Sequence, residues 1–318
     1  MEDGARARAV ARRAPRRIGG AAAWLAGACA VAGAALLGAG PLAAPLAAQA
    51  RGALVIVGGG PQPDAVRAEF VRLAGGAGKA RIIVFAMASE EGRTSGEETV
   101  AELAKHGASA RNVYLTREDA LTDSAGRLLD GVTGVWFGGG DQVRLANVLK
   151  GTPVERAIHA RFAAGAVIGG TSAGAAVMSR VMITGDERRP GGIRPDSEVV
   201  WGTMERDNVI TAEGFGLLPD AIVDQHFFRR KRYGRLLTLV VEREPHLGVG
   251  IDESTALIVG ADGQWRVAGE SGAVIYDARR ATRAAGGRQV QASGVTVHVL
   301  TAGGTFDPRT GRVALGTP

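Results

Sequence analysis

Cysteine is almost absent from this chain of 318 residues, and its scarcity excludes several kinds of chemistry. The single cysteine, Cys29, lies within an N-terminal segment that we expect to be removed. The remaining chain then has no disulfide, no thiolate metal site and no cysteine nucleophile. Motifs for metal ions and nucleotides are missing as well, since no Walker A lysine, H-E-x-x-H pair or zinc-ligand spacing occurs. The sequence therefore predicts a protein without a metal ion or a cofactor.

Charge is absent from Ile18 to Ala50. Residues 1–17 carry six arginines, and the uncharged run closes on Ala48-Gln49-Ala50, a small-residue pattern typical of signal-peptide cleavage. We interpret residues 1–50 as a secretory signal peptide. We therefore predict an exported protein, periplasmic or extracellular, without stable membrane insertion after cleavage. The uncharged run is also long enough to span a bilayer, so an uncleaved membrane anchor is the alternative interpretation.

Basic residues are otherwise in only slight excess. The formal net charge of +6 is concentrated in residues 1–17, where the arginines are opposed only by Glu2 and Asp3. A nearly balanced remainder does not favour nucleic-acid binding, and we predict no nucleic acid among the partners. One dense basic run is left, from Arg229 to Arg235. It is typical of a solvated helix face, and because it closely follows a candidate catalytic histidine it equally suits an anion-binding site.

Short apolar runs alternate with helical patterns in the first half of the remaining chain. Ala53–Val57 and Gly134–Phe137 are typical of buried strands. Continuous apolar strands between amphipathic helices predict an α/β fold with a doubly wound, mostly parallel sheet. After Glu253 the pattern changes to short strands with Gly and Asp turns. We predict one domain, residues 51–318, whose residues 255–318 form a β-rich C-terminal extension.

The most informative motif is the G-x-S-x-G sequence at residues 170–174, between an apolar strand run and a helical run from Ala175 to Val181. A serine on such a sharp strand-to-helix turn stands clear of the backbone, and the flanking glycines leave room for the turn. The first N–H groups of the helix point to where an oxyanion would form. Ser172 is therefore a candidate nucleophile, and a turn that only packs helix on strand is the alternative. The segment Asp186–Asp207 is predicted to be a mobile loop near this serine.

A catalytic base can be sought among only five histidines. His226 ends a run from Ala221 that has the pattern of a buried strand stopping in polar residues. Sites in open α/β sheets form at the carboxyl ends of strands, which is where this pattern places His226 and Ser172. We predict that His226 accepts the serine proton and returns it to a leaving amine. The histidines in contexts typical of structural roles are His106, His159, His246 and His298.

The carboxylate that would orient this imidazole is less sharply determined. A second short apolar strand, from Gly248 to Ile251, ends in Asp252 and Glu253. Asp224 is a third candidate, because it would point to the same side of a strand as His226. Spacing alone does not choose among the three. The order of serine, histidine and acid differs from that of α/β-hydrolases, in which the histidine comes last. The G-x-S-x-G turn, or nucleophile elbow, therefore belongs to another fold.

Two further glycine clusters follow apolar strands. The cluster from Gly58 to Gly60 invites a dinucleotide-binding interpretation, but Pro63 stands where a third glycine is needed, and we reject it. The second cluster, residues 138–140, opens a helix in the same way. The oxyanion hole that we predict from it consists of the backbone N–H groups of Gly139, Gly140 and Ala173.

Taken together, these motifs resemble the cyanophycinase family of serine peptidases, which are relatives of aspartyl dipeptidase (peptidase E). The resemblance covers about Gly52 to Arg279 and rests on the order and spacing of its motifs. These are Phe-Gly-Gly-Gly-Asp-Gln ending at Gln142, Gly-Gly-Thr-Ser-Ala-Gly-Ala around Ser172, Gly-Phe-Gly-Leu-Leu-Pro ending at Pro219, Asp-Gln-His-Phe from Asp224, the arginines after it, and Gly-Ile-Asp-Glu-Ser-Thr-Ala-Leu around Glu253. The resemblance implies a fold similar to class I glutamine amidotransferase domains.

The resemblance also implies a role for each of these residues. Ser172 would be the nucleophile, His226 the general base and Glu253, rather than Asp252, the acid of a triad. The residues that fall where the family lines its substrate pocket are Gln142, Asp224, Gln225, Arg230, Arg232 and Arg235. The implied substrate is cyanophycin, a polyaspartate with arginine on each side-chain carboxyl, and the implied product is β-aspartyl-arginine. A homodimer is common in the family, although no pattern in this chain requires one.

Three rival interpretations fit parts of the sequence. An exported aspartyl or isoaspartyl dipeptidase would share the triad but cleave short β-aspartyl peptides instead of polymer. A secreted binding module would keep the scaffold without the chemistry, which the intact serine, histidine and glutamate disfavour. A glutamine amidotransferase would need cysteine where Ser172 stands. The acids that would bind substrate arginines are not identified by sequence, although Glu187, Glu205 and Glu213 are available.

Overall fold

The computed structural model describes residues 52–195 and 204–316. The signal peptide predicted for residues 1–50 lies outside these residues. The helices are α1 (Asp64–Leu73), α2 (Gly92–Ala104), α3 (Arg117–Ala120), α4 (Asp123–Gly126), α5 (Gln142–Leu149), α6 (Pro153–Ala163), α7 (Ala173–Ala176) and α8 (Tyr233–Glu242), with a 3₁₀ turn at Arg127–Leu129. None of the helices in this part of the chain is long and apolar enough to cross a membrane.

The strands fall into two groups along the chain. Those before α8 are β1 (Leu54–Val57), β2 (Arg81–Phe85), β3 (Ser109–Asn112), β4 (Gly134–Phe137), β5 (Val167–Thr171), β6 (Val181–Arg189), β7 (Gly192–Arg194), β8 (Val209–Glu213) and β9 (Ile222–Asp224). Those after it are β10 (Leu247–Ile251), β11 (Thr255–Val259), β12 (Trp265–Gly269), β13 (Gly272–Asp277), β14 (Thr282–Arg283), β15 (Ala292–Ser293), β16 (Thr296–Thr301), β17 (Thr305–Asp307) and β18 (Arg312–Ala314).

The main sheet has nine strands among the described residues, in the order β18-β17-β12-β11-β1-β5-β4-β2-β3. Its half from β1 to β3 is parallel throughout. Alternate residues of β1 enter different apolar clusters, Leu54 and Ile56 on one face and Val55 and Val57 on the other. Both faces are therefore covered, which is the burial that a continuous apolar strand predicts. The expected α/β architecture is confirmed in this half.

The other half of the main sheet is antiparallel. β11 pairs with β1, Leu54 standing opposite Val259, and β12, β17 and β18 follow outward. All four strands come from the strand-rich region predicted for residues 255–318. The region is strand-rich as the sequence predicted, and these four strands are an integral part of the main sheet.

A second sheet has the order β16-β13-β10-β9. Its strands β9 and β10 are parallel, with Val223 opposite Val249. These strands lead to His226 and Glu253 and belong to a different sheet from β1. On its other side β10 pairs with β13 of the C-terminal region. The two sheets still meet where their strands end, since the His226 N–H donates to the Gly58 carbonyl just after β1.

A third sheet, β7-β6-β8, follows the candidate nucleophile and corrects two expectations. The helix predicted from Ala175 to Val181 is the single turn α7, and the chain is already extended in β6 from Val181. The β-branched residues at the start of β6, Val181, Ile183 and Thr184, favour this extended conformation. The loop predicted for Asp186–Asp207 begins as the β6–β7 hairpin, while residues 196–203 lie outside the described part.

Candidate active site

Ser172 lies on the turn between β5 and α7. Its backbone has φ 54° and ψ −111°, a conformation that residues with a side chain rarely adopt. The turn is held by a hydrogen bond of 3.0 Å from the Ser172 N–H to the Val57 carbonyl at the end of β1. The carbonyl of Ser172 in turn accepts from Ala175 and Ala176 and starts α7. This is the geometry of a nucleophile elbow.

The two glycines of the motif are required by close backbone approaches. A Cβ added to Gly170 would lie 2.6 Å from the Gly174 carbonyl oxygen. A Cβ added to Gly174 would lie 2.3 Å from the Phe137 carbonyl oxygen, which would push α7 away from β4. The spacing that marked the motif in the sequence therefore reflects two places where the turn has no room for a side chain.

Ser172, His226 and Glu253 form a continuous hydrogen-bonded chain. The Ser172 Oγ lies 2.8 Å from His226 Nε2, and His226 Nδ1 lies 2.6 Å from Glu253 Oε1. The His226 side chain is 10% exposed and that of Glu253 is 28% exposed, so the glutamate is the more accessible of the two to solvent. A carboxylate at Nδ1 fixes the tautomer that leaves Nε2 free to accept the serine proton.

The other two candidate carboxylates have different partners. Asp252 accepts hydrogen bonds from the N–H groups of Phe228 and Arg229 and from the Ser271 hydroxyl. It therefore anchors the chain that follows His226. Asp224, although only two residues from His226, is fully buried and turned to the arginines of the basic run. Of the three acids that the spacing left open, the structure brings Glu253 to the imidazole.

The remaining histidines lie elsewhere. His106 lies just after α2, beside Asp64, and the neighbouring Gly107 has φ +80° as expected for a helix end. His246 Nδ1 lies 2.8 Å from the Val240 carbonyl, and the His298 ring packs 5.4 Å from Phe306. His159 lies half-buried within α6. None of these four contacts Ser172, and no group of three or more metal-ligating side chains occurs in the described part of the chain.

The loop after β1 supports the three residues, a role that sequence reasoning missed. Successive carbonyls of Val57, Gly58 and Gly59 accept the N–H groups of Ser172, His226 and Ser254, at 3.0, 2.7 and 2.9 Å. A Cβ on Gly59 would lie 2.3 Å from the ring carbon Cε1 of His226, and a Cβ on Gly60 would lie 2.8 Å from the Cβ of Glu253. The glycine cluster that failed the dinucleotide test is therefore the surface against which the histidine and glutamate pack.

The electrostatics of His226 favour its neutral form. Burial lowers the pKa of the imidazole below its usual value, and the charges of Arg230 and Arg232 lower it further. The hydrogen bond to Glu253 acts in the opposite direction without overcoming burial. A neutral imidazole at Nε2 can accept a proton from the serine hydroxyl at neutral pH, which a protonated one cannot.

The predicted oxyanion hole adjoins Ser172. A Cβ built on Gly139 would lie 3.5 Å from the Ser172 Cβ, so this loop runs directly past the serine. Gly140 has φ +136° and its α-carbon faces the Ala88 carbonyl, where a Cβ would come within 2.3 Å. Ala173 is the first residue of α7. Gly139 and Ala173 therefore adjoin the serine, and the part that the three residues play in binding an oxyanion stays a prediction.

The basic run is not the solvated helix face that its charge pattern suggested. Helix α8 starts only at Tyr233, so Arg229–Arg232 precede it in turns. Arg230 is exposed, whereas Arg232 and Arg235 are 2% and 1% exposed. Arg235 donates to both carboxylate oxygens of Asp224, at 2.8 and 2.5 Å.

The other predicted pocket residues are also engaged within the protein. Arg232 Nη1 donates to the backbone carbonyl and to the side-chain Oε1 of Gln225, at 2.9 and 2.6 Å. Gln142 is buried at the start of α5, and its amide donates to the carbonyls of Ile183 and Thr184 in β6. These contacts position the elements around the triad. Of the six predicted pocket residues, Arg230 alone is exposed, and substrate contact by any of the six stays a prediction.

The chain is similar to known peptidases. Residues 54–266 match the model of peptidase family S51. Two curated proteins named cyanophycinase, from Trichormus variabilis and from a Nostoc species, are each 37% identical over 235 residues, which cover 72% of this chain and 75% of theirs. The crystal structure of a peptidase from an acI-B1 actinobacterium has a TM-score of 0.61 and 22% identity, covering 82% of this chain and 98% of its own. The last of these supports the fold alone.

The family match includes the elbow, the histidine and the glutamate. The family model covers more than half of the chain and spans Ser172, His226 and Glu253. The curated relatives exceed 30% identity over most of their own length. The resemblance to the cyanophycinase family that the motifs indicated is confirmed, and the chain belongs to peptidase family S51.

Proposed function

We propose that this protein is a serine-type peptidase that hydrolyses cyanophycin and releases β-aspartyl-arginine dipeptides. The observation that carries the proposal is the chain of contacts from Ser172 Oγ through His226 to Glu253 Oε1, at 2.8 and 2.6 Å. Its substrate class is supported by the name of the curated relatives, cyanophycinase, at 37% identity. Membership in a peptidase family supports hydrolysis of an amide bond.

The reaction that suits this geometry is acyl transfer through the serine. Ser172 Oγ attacks the scissile carbonyl carbon while its proton passes to His226 Nε2, and Glu253 stabilises the imidazolium that results. The oxyanion is bound by backbone N–H groups of Gly139, Gly140 and Ala173. His226 then gives its proton to the leaving amine as the C–N bond breaks. A water molecule, deprotonated by the same imidazole, hydrolyses the acyl-enzyme and restores the serine.

Arg230 is the residue of the basic run best placed to meet substrate. It is exposed, and its charge is close enough to affect the imidazole of His226. Cyanophycin presents free carboxylates at its C-terminus and on the arginines attached to its side chains, and a guanidinium can bind such a group through paired hydrogen bonds. A carboxylate held there would fix the scissile bond over Ser172 and would also neutralise a charge that opposes protonation of the histidine.

Export is a further part of the proposal. The uncharged segment that ends at Ala50, with arginines before it, has the pattern of a secretory signal peptide. An exported enzyme of this kind would act on polymer released from other cells. Export is tested by expressing the full chain and determining the N-terminal residue of the protein in the periplasmic or extracellular fraction. A new N-terminus at Arg51 supports it, and an intact chain retained in the membrane fraction contradicts it.

The activity is tested by incubating purified protein with insoluble cyanophycin and measuring released β-aspartyl-arginine by mass spectrometry. Ser172→Ala is the control, because it removes the nucleophile and only one oxygen atom. Release by the wild type alone supports the proposal. A fluorophosphonate probe that labels the wild type but not Ser172→Ala would independently support a reactive serine and contradict a non-catalytic binding protein.

The same assay separates the rival dipeptidase. Cleavage of short aspartyl or isoaspartyl peptides without release from the polymer would assign the protein to that activity. It would also mean that the arginines after His226 serve only the fold.

A further inference from the structure

A cavity of about 490 Å³ opens beside the candidate oxyanion hole. Its floor consists of Gly138–Gly140 and Thr171, the residue before the candidate nucleophile. Gly139 lies beside Ser172, because a Cβ built on Gly139 would be 3.5 Å from the Ser172 Cβ. The cavity therefore lies next to the place where a scissile carbonyl would be held, and a substrate side chain extending from that place would enter it.

One wall of the cavity is a single face of α2. The residues of α2 on this wall are Ser95, Glu98, Thr99 and Glu102. Their spacing of three, four and seven positions places them on one side of a helix. The wall thus combines two carboxylates with two hydroxyls, and polar groups of Gln62, Arg67 and Ser89 complete the rim.

The hydroxyl groups on this wall are oriented to accept hydrogen bonds. Ser95 Oγ donates its hydrogen to the Glu91 carbonyl at 3.2 Å, and Thr99 Oγ1 donates to the Ser95 carbonyl at 2.9 Å. Ser89 Oγ already accepts from the Glu91 N–H. Because the hydrogens of Ser95 and Thr99 are committed to the helix backbone, their free lone pairs suit a ligand that brings many donors. An anionic ligand would find no donor in these two hydroxyls.

The two carboxylates differ in what they already bind. Glu102 lies 2.6 Å from Lys105 Nζ and 3.7 Å from Arg67 Nη1, which satisfies its charge. Glu98 is exposed and makes no ion pair or side-chain hydrogen bond with another residue in the part of the chain that the structure describes. The carboxylate left for a cationic ligand in this cavity is therefore that of Glu98.

From this arrangement we infer that the cavity is a subsite for an arginine side chain of the substrate and that Glu98 determines its preference for arginine. The inference rests on the proposed function, whose substrate carries an arginine on each residue. A guanidinium has five N–H donors, enough to bind the carboxylate and the neighbouring hydroxyl oxygens together. The acids that the sequence offered for this role lie elsewhere: Glu187 is fully buried beside Arg189, Glu205 pairs with Arg288, and Glu213 pairs with Lys150.

The test compares two synthetic peptides, each with two aspartyl units that carry an amino acid on the side-chain carboxyl. One carries arginine and the other carries citrulline, which keeps the size of the side chain and removes its charge. Values of kcat/KM are measured by mass spectrometry for the wild type, Glu98→Gln and Glu97→Gln. Glu97 is the matched control, because it is an exposed glutamate on the same helix that does not line the cavity.

We expect the wild type to prefer arginine and Glu98→Gln to lose about five- to tenfold of that preference, with little change for the citrulline peptide. Glu97→Gln should keep the full preference. An arginine preference that is unchanged in Glu98→Gln overturns the subsite and leaves the proposed function standing. A wild type that cleaves neither these peptides nor the polymer overturns the proposed function, and the subsite with it.

Discussion

Ser172, His226 and Ser254 share an unusual backbone conformation, with φ of 54°, 47° and 54°. Each residue with a side chain in this region costs about 1–3 kcal/mol relative to ordinary backbone, and such residues concentrate at functional sites. Here the three N–H groups are held by consecutive carbonyls of residues 57–59. The strained residues are thus tied to one short loop, which keeps the hydroxyl, the imidazole and the neighbouring Glu253 in register. Substitutions in this loop should therefore affect catalysis directly.

The first prediction concerns that loop. Gly59→Ala would place a methyl group 2.3 Å from the ring of His226 at a position with φ +109°, so the imidazole must move. We expect kcat/KM to fall about 100-fold, the effect of displacing a catalytic group by roughly 1 Å. Gly76→Ala is the control, because Gly76 also has positive φ but nothing within 4 Å of the added methyl. Equal losses of activity in the two variants would assign the effect to backbone strain alone.

The second prediction concerns pH. His226 must be neutral to accept the serine proton, and burial and two arginines lower its pKa below the usual 6.5. Activity should therefore persist below pH 6.5 and disappear as the pH falls through the lowered pKa. Removing the charge in Arg230→Gln should raise that pKa and move the acidic limb of kcat/KM to higher pH. The measurement is a pH profile with Arg229→Gln as control. An acidic limb that stays in place in Arg230→Gln would contradict the electrostatic role of Arg230.

At the scale of elements, the buried arginines join α8 to the second sheet. Arg235 lies in the first turn of α8, and its guanidinium binds both oxygens of Asp224 at the end of β9. Arg232 lies 3.9 Å from the same carboxylate. All three side chains are 2% exposed or less. The strand that leads to His226 is therefore fixed to a helix by a buried charge pair.

A third prediction follows from this burial. Asp224→Ala would leave Arg232 and Arg235 without their carboxylate, and breaking a buried ion pair costs about 3–5 kcal/mol of the free energy of unfolding. Urea denaturation measures the loss. Asp207→Ala provides the comparison, because its pair with Arg243 is exposed at the surface and should contribute less than about 1 kcal/mol. Similar losses for both variants would show that the buried pair with Arg235 contributes no more to the free energy of unfolding than the exposed pair.

The sequence predicted the elements that are determined locally. The parallel strands were recognisable because continuous apolar runs alternate with helices, and the elbow because two backbone approaches require glycine at fixed spacing. The second sheet was not predicted, since the pairing of β10 with β13 depends on contacts across the chain. The burial of Arg232 and Arg235 was missed for a related reason. Charged residues are normally solvated, and nothing local shows that Asp224 is their partner.

At the scale of the whole molecule, the C-terminal region completes both large sheets. β11, β12, β17 and β18 extend the main sheet, and β13 and β16 extend the second. Trp265 of β12 and Phe306 of β17 are both buried, with ring centroids 5.4 Å apart. This aromatic pair is separated from β5, which carries the elbow, by strands β11 and β1. Stability and catalysis should therefore be separable in this protein.

The last prediction uses that separation. Phe306→Ala would remove a fully buried ring from the Trp265 contact, and such large-to-small changes cost about 3–5 kcal/mol of the free energy of unfolding. Because strands β12 and β11 separate Phe306 from β1, kcat/KM of the folded variant should match that of the wild type well below its unfolding temperature. Leu315→Ala, at a side chain that is 79% exposed, should change stability by less than about 0.5 kcal/mol. Thermal unfolding and kcat/KM are measured on the same samples. A folded Phe306→Ala protein with reduced kcat/KM would show that the C-terminal strands position the triad as well as stabilise the sheet.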